Sequence, residues 1–176
     1  MLPTLHSERL TLRPWTADDA EAVFDLYSRW EDMRFLGTNP AVMTEPVQAE
    51  AKIATWNALP GPLHGIWALV PHGTDRPVGT ALLKLLPHSG SKAPSPDTEV
   101  GWHLHPDAWG RGYATEAGGR LLADAWSHDL EQVSAVTYPE NTASRAVCLR
   151  LGMGPLGTTD RYYDITCALF RAERPA

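Results

Sequence analysis

The run Trp109-Gly110-Arg111-Gly112-Tyr113-Ala114-Thr115-Glu116-Ala117 sets two glycines around an arginine where a strand pattern gives way to a helix pattern. Upstream, Thr98–Leu104 reads as a strand that stops at His105-Pro106. Downstream, Ala114, Ala117, Gly118, Leu121, Leu122 and Ala125 recur at the i, i+3, i+4, i+7 spacing of one helix face. Strand, glycine turn and helix together suit a phosphate. The first helical turn has N–H groups without intrahelical partners, the helix dipole adds partial positive charge, and glycine removes the side chain that would block approach. The run therefore points to a phosphorylated ligand. It is not a P-loop, because no Lys-Ser or Lys-Thr follows the glycines, and it lacks the third glycine of a dinucleotide fingerprint, because position 115 is threonine.

Another pyrophosphate turn fits. Gly112 and Ala114 occupy the last two fixed positions of Q/R-x-x-G-x-G/A, the turn of the GCN5-related N-acetyltransferases (GNAT), and Trp109 stands where Gln or Arg is usual. The whole run resembles the W-G-K/R-G-Y-A-T-E-A form of the RimJ/RimL-like branch, the ribosomal-protein N-acetyltransferases and their relatives. Glu99-Val100-Gly101-Trp102-His103-Leu104 is similar to that branch's strand, E-I/V-G-Y/W-x-L/I. Asn141 to Met153, with Ser144 and Gly152 at the fixed positions, resembles the superfamily segment N-x-x-A/S-x-x-x-x-x-x-x-G-F/M.

The resemblance implies acetyl-CoA (coenzyme A) as acyl-donor cosubstrate and a primary amine as acceptor. It implies that backbone N–H groups of Gly110, Arg111, Gly112, Tyr113, Ala114 and Thr115 hold the pyrophosphate. Trp102, His103 and Leu104 would pair with the pantetheine amides as an added strand does, and an N–H there would stabilise an oxyanion. The Arg111 side chain either contacts phosphate or is solvated. Asn141 is implied to hydrogen-bond the cofactor, and it also reads as the N-cap of a short helix that Gly152 ends. Many relatives place a tyrosine seven residues after this Asn, as the acid that protonates the thiolate; here that residue is Cys148. Ser144, characteristic of the branch, is the candidate in its place, with Tyr162 and Tyr163 as other donors.

A substrate amine is largely protonated at neutral pH, so the reaction needs a base, and Glu99 is the first candidate. Partial desolvation on that strand would raise its pKa; the alternative is an exposed strand carboxylate paired with a basic neighbour. Glu116, in the first helical turn, fits as a dipole partner. His103 and His105 fall on one strand face, but no third ligand stands at motif spacing, so no metal is expected.

Along the chain, Glu8–Trp15 alternates as a strand, and Thr16 with Asp18 and Asp19 opens a helix carrying Ala20, Val23, Phe24, Tyr27 and Trp30. Thr44-Glu45-Pro46 opens a second helix to about Asn57, which Pro60-Gly61-Pro62 breaks. Ile66–Val70 and Val78–Leu86 read as strands, His88–Asp97 as a mobile loop, Val133–Tyr138 as a strand, and Arg161–Arg171 as a last strand or hairpin arm. The order β-α-α-β-β-β-α-β-α-β resembles the GNAT α/β (α+β) fold, a mixed, twisted central sheet with helices on both faces, in one domain over 1–176.

Bulk properties narrow the classes. A net charge of −6 without a Lys/Arg run argues against nucleic acid, and no apolar run approaches the ~18 residues of a membrane helix. Met1-Leu2-Pro3-Thr4 opens no signal-peptide pattern, so a cytoplasmic location is expected. The two cysteines, Cys148 and Cys167, form no CxxC site. The acceptor stays open among a protein N-terminal amine, a polyamine, an aminoglycoside and an amino-acid analogue. Tyr27, Trp30, Met33, Arg34, Phe35, Trp56, Trp67 and Tyr162 either line an aromatic cleft for it or pack the core. The resemblance also leaves a homodimer open, and a non-catalytic acyl-CoA-binding module is the alternative function, favoured by Cys148.

Overall fold

Leu10 and Leu12 are fully buried and alternate with the half-buried Thr11 and Arg13, and this alternation builds β2 (Leu10–Pro14). A two-residue arm, β1 (Leu5–His6), pairs antiparallel with it. The remaining strands are β3 (Gly65–Pro71), β4 (Gly79–Pro87), β5 (Pro94–Leu104), β6 (Gln132–Thr137), β7 (Gly154–Thr159) and β8 (Cys167–Glu173). The helices are α1 (Ala20–Tyr27), α2 (Trp30–Met33), α3 (Val47–Asn57), α4 (Tyr113–Ser127) and α5 (Thr142–Arg150). The computed structural model describes residues 2–59, 61–91 and 93–176, with the side chain of Asp32 excepted; Met1, Pro60 of the expected helix break and Lys92 of the expected loop lie outside them.

The strands form one eight-stranded sheet in the order β1-β2-β3-β4-β5-β6-β8-β7, antiparallel except for the parallel pair β5–β6. β3 is buried along its whole length, and its alternation explains the layering. Trp67 and Leu69 enter a core with Leu121 and Leu122 of α4, while Ile66, Ala68 and Val70 enter a second core with Val23, Ile53 and Trp56 of α1 and α3. A strand buried on both faces needs a helical layer on each, and this is the mixed, doubly covered sheet expected from the sequence. Burying a leucine side chain contributes roughly 2 kcal/mol, so Leu121 and Leu122 anchor α4 firmly.

Three segments differ from expectation. The helix expected from Thr16 through Trp30 is divided: a 3-10 turn at Ala17–Asp19 precedes α1, and Trp30 opens the separate α2 with 55% of its surface exposed. The loop expected at 88–97 is shorter, because β5 begins at Pro94, paired with Pro87; proline already has an extended-compatible φ and lacks only the N–H. The C-terminal hairpin has an extra strand, β7, whose Gly-Pro-Leu-Gly-Thr-Thr sequence is exposed over most of its length and so shows no alternation. Among the described residues, no helix is long and apolar enough to cross a membrane.

The feature that positions the site is the seam between β5 and β6. Their register is set at Glu99 and Ser134, and among the described residues no other pair joins them. β5 continues to Leu104, still paired with β4 through Gly79, so its far end parts from β6.

Candidate active site

A cleft of about 1090 Å³ opens where the two strands part. One wall is β5 from Glu99 to Leu104, the other is β6 from Ala135 to Thr137, and the glycine turn and α5 extend the walls.

Gly110 and Gly112 both have left-handed backbones, φ 73° and 81°, which glycine adopts without strain. Gly112 is the N-cap of α4, a Cβ at Gly110 would meet nothing within 4 Å, and Tyr113 to Thr115 of the first turn of α4 line the cleft. The turn is tied to its surroundings at both ends. Trp109 Nε1 donates to the Leu104 carbonyl at 2.7 Å, which gives the residue that replaces the usual Gln or Arg a structural task. Arg9 Nη1 donates to the Arg111 carbonyl at 2.9 Å, and Arg9 Nε to Glu116 Oε2 at 2.7 Å. The Arg9 amide and Ser7 Oγ both donate to Glu116 Oε1, at 2.6 and 2.7 Å. Partial burial pushes the Glu116 pKa up, but these bonds outweigh it and hold the carboxylate below its usual value. Glu116 is thus a brace as well as a dipole partner.

Gly110, Gly112, Tyr113, Ala114 and Thr115 line the cleft, with Trp102, His103, Leu104, Asn141, Ser144 and Glu99. Arg111 does not: its side chain is exposed and outside the lining. Arg150 lies in the lining instead, with Nε donating to Thr115 Oγ1 at 3.1 Å. Asn141 Oδ1 accepts from the Ser144 N–H at 3.1 Å, the N-cap bond of α5.

At the Glu99 end, burial is nearly complete. Glu99 is 7% exposed, accepts from the Tyr163 hydroxyl, and has Lys84 Nζ 3.8 Å away across the β4–β5 pair. Burial pushes the Glu99 pKa up, opposed by Lys84 and the Tyr163 hydrogen bond. Glu99 therefore has a basic neighbour yet is not the exposed residue that reading supposed. Tyr163 has φ 60°, a left-handed backbone costing a non-glycine residue roughly 1 kcal/mol or more. The hydrogen bond to Glu99 and the Lys84 ammonium, 4.9 Å from the ring centre, hold it there. Burial and the adjacent Glu99 push the phenol pKa well up, so it stays protonated.

The other candidate acids separate cleanly. Cys148 is 1% exposed in the core beneath α4, outside the cleft lining, and burial pushes its thiol up to about 12. Tyr162 is fully buried, donates to Asp97 at 2.6 Å, and is pushed up to about 12 by burial and Asp97. His103 hydrogen-bonds Tyr27 through Nδ1 at 2.9 Å, and burial, aided by Lys52 and Lys84, lowers its pKa to about 4, so it is neutral at pH 7. His105 does not share its strand face: it lies past the end of β5, where Nδ1 accepts from the Asp107 amide. Among the described residues no cluster of three or more His, Cys, Asp or Glu is placed to hold a metal.

Of the aromatic and flanking candidates, Tyr27, Met33, Arg34, Phe35 and Trp56 line the cleft. Trp67 is core, with its indole donating to the Pro3 carbonyl at 2.8 Å. Sequence reasoning missed Arg9, Lys52, Lys84 and Arg150. Alternation along β4 could have put Lys84 on the Glu99 side, and helical spacing could have set Arg150 on the face of Ala143 and Val147; nothing local marks Arg9 or Lys52.

The chain matches the acetyltransferase (GNAT) domain family over residues 9–154. It is 30% identical over 164 residues to the uncharacterized N-acetyltransferase YoaA of Bacillus subtilis, covering 92% of this chain and 89% of that protein. A solved acetyltransferase of Agrobacterium tumefaciens shares the fold with a TM-score of 0.75 at 26% identity, over 98% of this chain and 95% of that one. RimL, a ribosomal L7/L12 α-N-protein acetyltransferase solved in complex with coenzyme A, has the same fold at TM-score 0.75 and 15% identity, over 97% and 98% of the two chains.

Proposed function

This chain belongs to the GNAT acetyltransferase family, and from that premise we propose that it transfers the acetyl group of acetyl-CoA to a primary amine by direct attack on the thioester. The observation that carries the reading is a single cleft lined both by the glycine turn and by the Glu99–Tyr163 pair.

The residues suit the cosubstrate. The first turn of α4 lines the cleft beside open space at Gly110, Arg150 adds positive charge beside Thr115, and the β6-side edge of β5 beyond Glu99 has no partner strand among the described residues. Gly110 to Thr115 would hold the pyrophosphate through their backbone, whereas the Arg111 side chain takes the solvated alternative. Trp102, His103 and Leu104 would offer backbone groups to the pantetheine amides, the Leu104 carbonyl being already shared with Trp109. Acetyl-CoA supplies an activated acyl carbon and a thiolate leaving group.

The neutral amine forms the C–N bond as the C–S bond breaks. Glu99 takes the proton from the amine nitrogen, directly or through a water. Tyr163 gives its phenolic proton to the departing sulfur, and the proton on Glu99 returns to Tyr163 along their hydrogen bond. The net movement is one proton from nitrogen to sulfur. Ser144, also in the lining, is the alternative donor. Cys148 is the feature that favours a non-catalytic acyl-CoA-binding module, and the Tyr163 hydroxyl, which enters the cleft from the β7–β8 connection, supports the catalytic reading instead.

Calorimetric titration with acetyl-CoA tests the premise, with Gly112→Val as control: a β-branched residue at φ 81° that would also press on Arg9 Nη2. Micromolar binding lost in the variant supports the reading, and thiol release over an amine panel then tests transfer. Absence of binding in the wild type would overturn it.

A further inference from the structure

The acceptor side of the cleft holds a cation that the protein itself does not neutralise. Lys52, on α3, lies in the lining with Nζ 4.9 Å from the Tyr27 ring centre and 5.4 Å from that of Trp56. Several framework cations are paired, Arg9 with Glu116, Arg13 with Asp19, Arg76 with Asp25, Arg120 with Asp124, and Arg174 with Asp129 and Glu131; Lys52 is half-buried against two aromatic rings without such a partner among the described residues. Among the described residues no carboxylate lies within ion-pair distance of Lys52, and burial alone pushes its pKa down. Arg34, in the same lining, stacks on Phe35 at 4.7 Å and likewise has no carboxylate partner among the described residues. Among the described residues the acidic ones in the lining are Glu31 and Glu99, and Glu99 is already engaged by Lys84 and Tyr163.

A polyamine or aminoglycoside would bring several positive charges to Lys52, Arg34 and Lys84. An amine that also carries an anion would instead supply the missing partner. Lys52 also borders a second pocket, of about 340 Å³, with Met33, Ala41, Val42 and Met43 in its wall. A cation beside an apolar recess, in the same cleft as a candidate base, is an arrangement for an amine, an anion and an apolar substituent on one small molecule.

We propose that the acceptor is a small amine bearing an anionic group, an amino acid or its phosphonate analogue, whose anion pairs with Lys52 at the Tyr27–Trp56 corner while its amine faces Glu99. This rests on the acetyl-transfer reading above. Lys52 is then the residue that sets acceptor class.

The test has two arms. In the first, thiol release is measured with amino acids and aminoalkyl phosphonates, each against its uncharged carboxamide or amino-alcohol counterpart, and against spermidine and an acidic-start peptide. The anionic member of each small pair is expected to have a kcat/KM higher by about tenfold or more, the worth of one partly desolvated ion pair. Lys52→Met should erase that preference through acceptor KM without changing KM for acetyl-CoA, and Lys52→Arg should keep part of it. In the second arm, the same pairs are titrated by calorimetry into protein saturated with coenzyme A. Tighter binding of the anionic member, lost in Lys52→Met, supports the inference even without turnover. Equal binding, a preference for amides, spermidine or the peptide, or a preference untouched by Lys52→Met overturns it while acetyl transfer stands. Failure to bind acetyl-CoA at all strikes the earlier reading instead.

Discussion

At Glu99 the needs of the fold and of the chemistry oppose each other. Burial raises its pKa above the ordinary 4.5, so the folded state favours the neutral acid. The stability this contributes is complete below the unfolded pKa and is lost as pH rises through the folded one. Glu99→Gln stays neutral throughout, so its melting temperature at pH 7 should equal or exceed that of the wild type. As a base, however, Glu99 must be ionised. The variant should lose roughly 10²-fold or more in kcat, and the wild-type rate should fall on the acid side as Glu99 takes up its proton. Calorimetric scans beside thiol-release profiles check both; a melting temperature that falls with the rate would reduce Glu99 to a structural residue. Tyr163→Phe keeps the ring under Lys84 and removes only the hydroxyl, and is expected to lower kcat by about 10²-fold with acetyl-CoA binding intact. A loss of that size in Ser144→Ala instead, with Tyr163→Phe unaffected, assigns the acid to Ser144.

Among the elements, α4 carries the most consequence, because its N-terminus is held by a segment far away in sequence. Glu116 is held below its usual pKa by Ser7 and Arg9, so its contribution exists above the unfolded pKa and disappears as pH falls through the folded one. Glu116→Gln should cost about 1–2 kcal/mol at pH 7 and nothing at strongly acid pH, where the wild type has lost the same charge; denaturant titration at the two pH values reads the difference. Farther along α4, a Cβ at Gly118 would lie 2.7 Å from Leu151 Cδ1 and 3.3 Å from Trp102 Cζ3. Gly118→Val should therefore destabilise by about 1–3 kcal/mol and disturb the β5 wall, visible as a weaker acetyl-CoA titration. The glycine turn and α4 were legible in the sequence because their causes are local: glycine where φ is positive, and a helical apolar period. Arg9 was not, because its partners lie 102 and 107 residues away. Tyr162 and Tyr163 are neighbours of one residue type, and only the tertiary fold decides that the second reaches the cleft.

For the molecule as a whole, the main strands and helices followed from period and punctuation, while β1, α2, β7 and the division of the sheet did not. β6 is a short strand with three consecutive buried residues, Val133 to Ala135, and nothing in its sequence says that its partnership with β5 is made at Glu99 and Ser134 alone among the described residues. That seam leaves two plates, β1 to β5 and β6 with β8 and β7, each laddered internally, sharing the core beneath α4 but joined in the ladder at one pair among the described residues. Native-state hydrogen exchange on the ligand-free protein should therefore report two cooperative unfolding units of different opening free energy. A pantetheine arm laid into the open seam would act as a removable strand. Saturation with coenzyme A should slow the amides of Trp102 to Leu104 and draw the two units toward one common opening, so that the cosubstrate completes the protein's cooperativity as well as its chemistry.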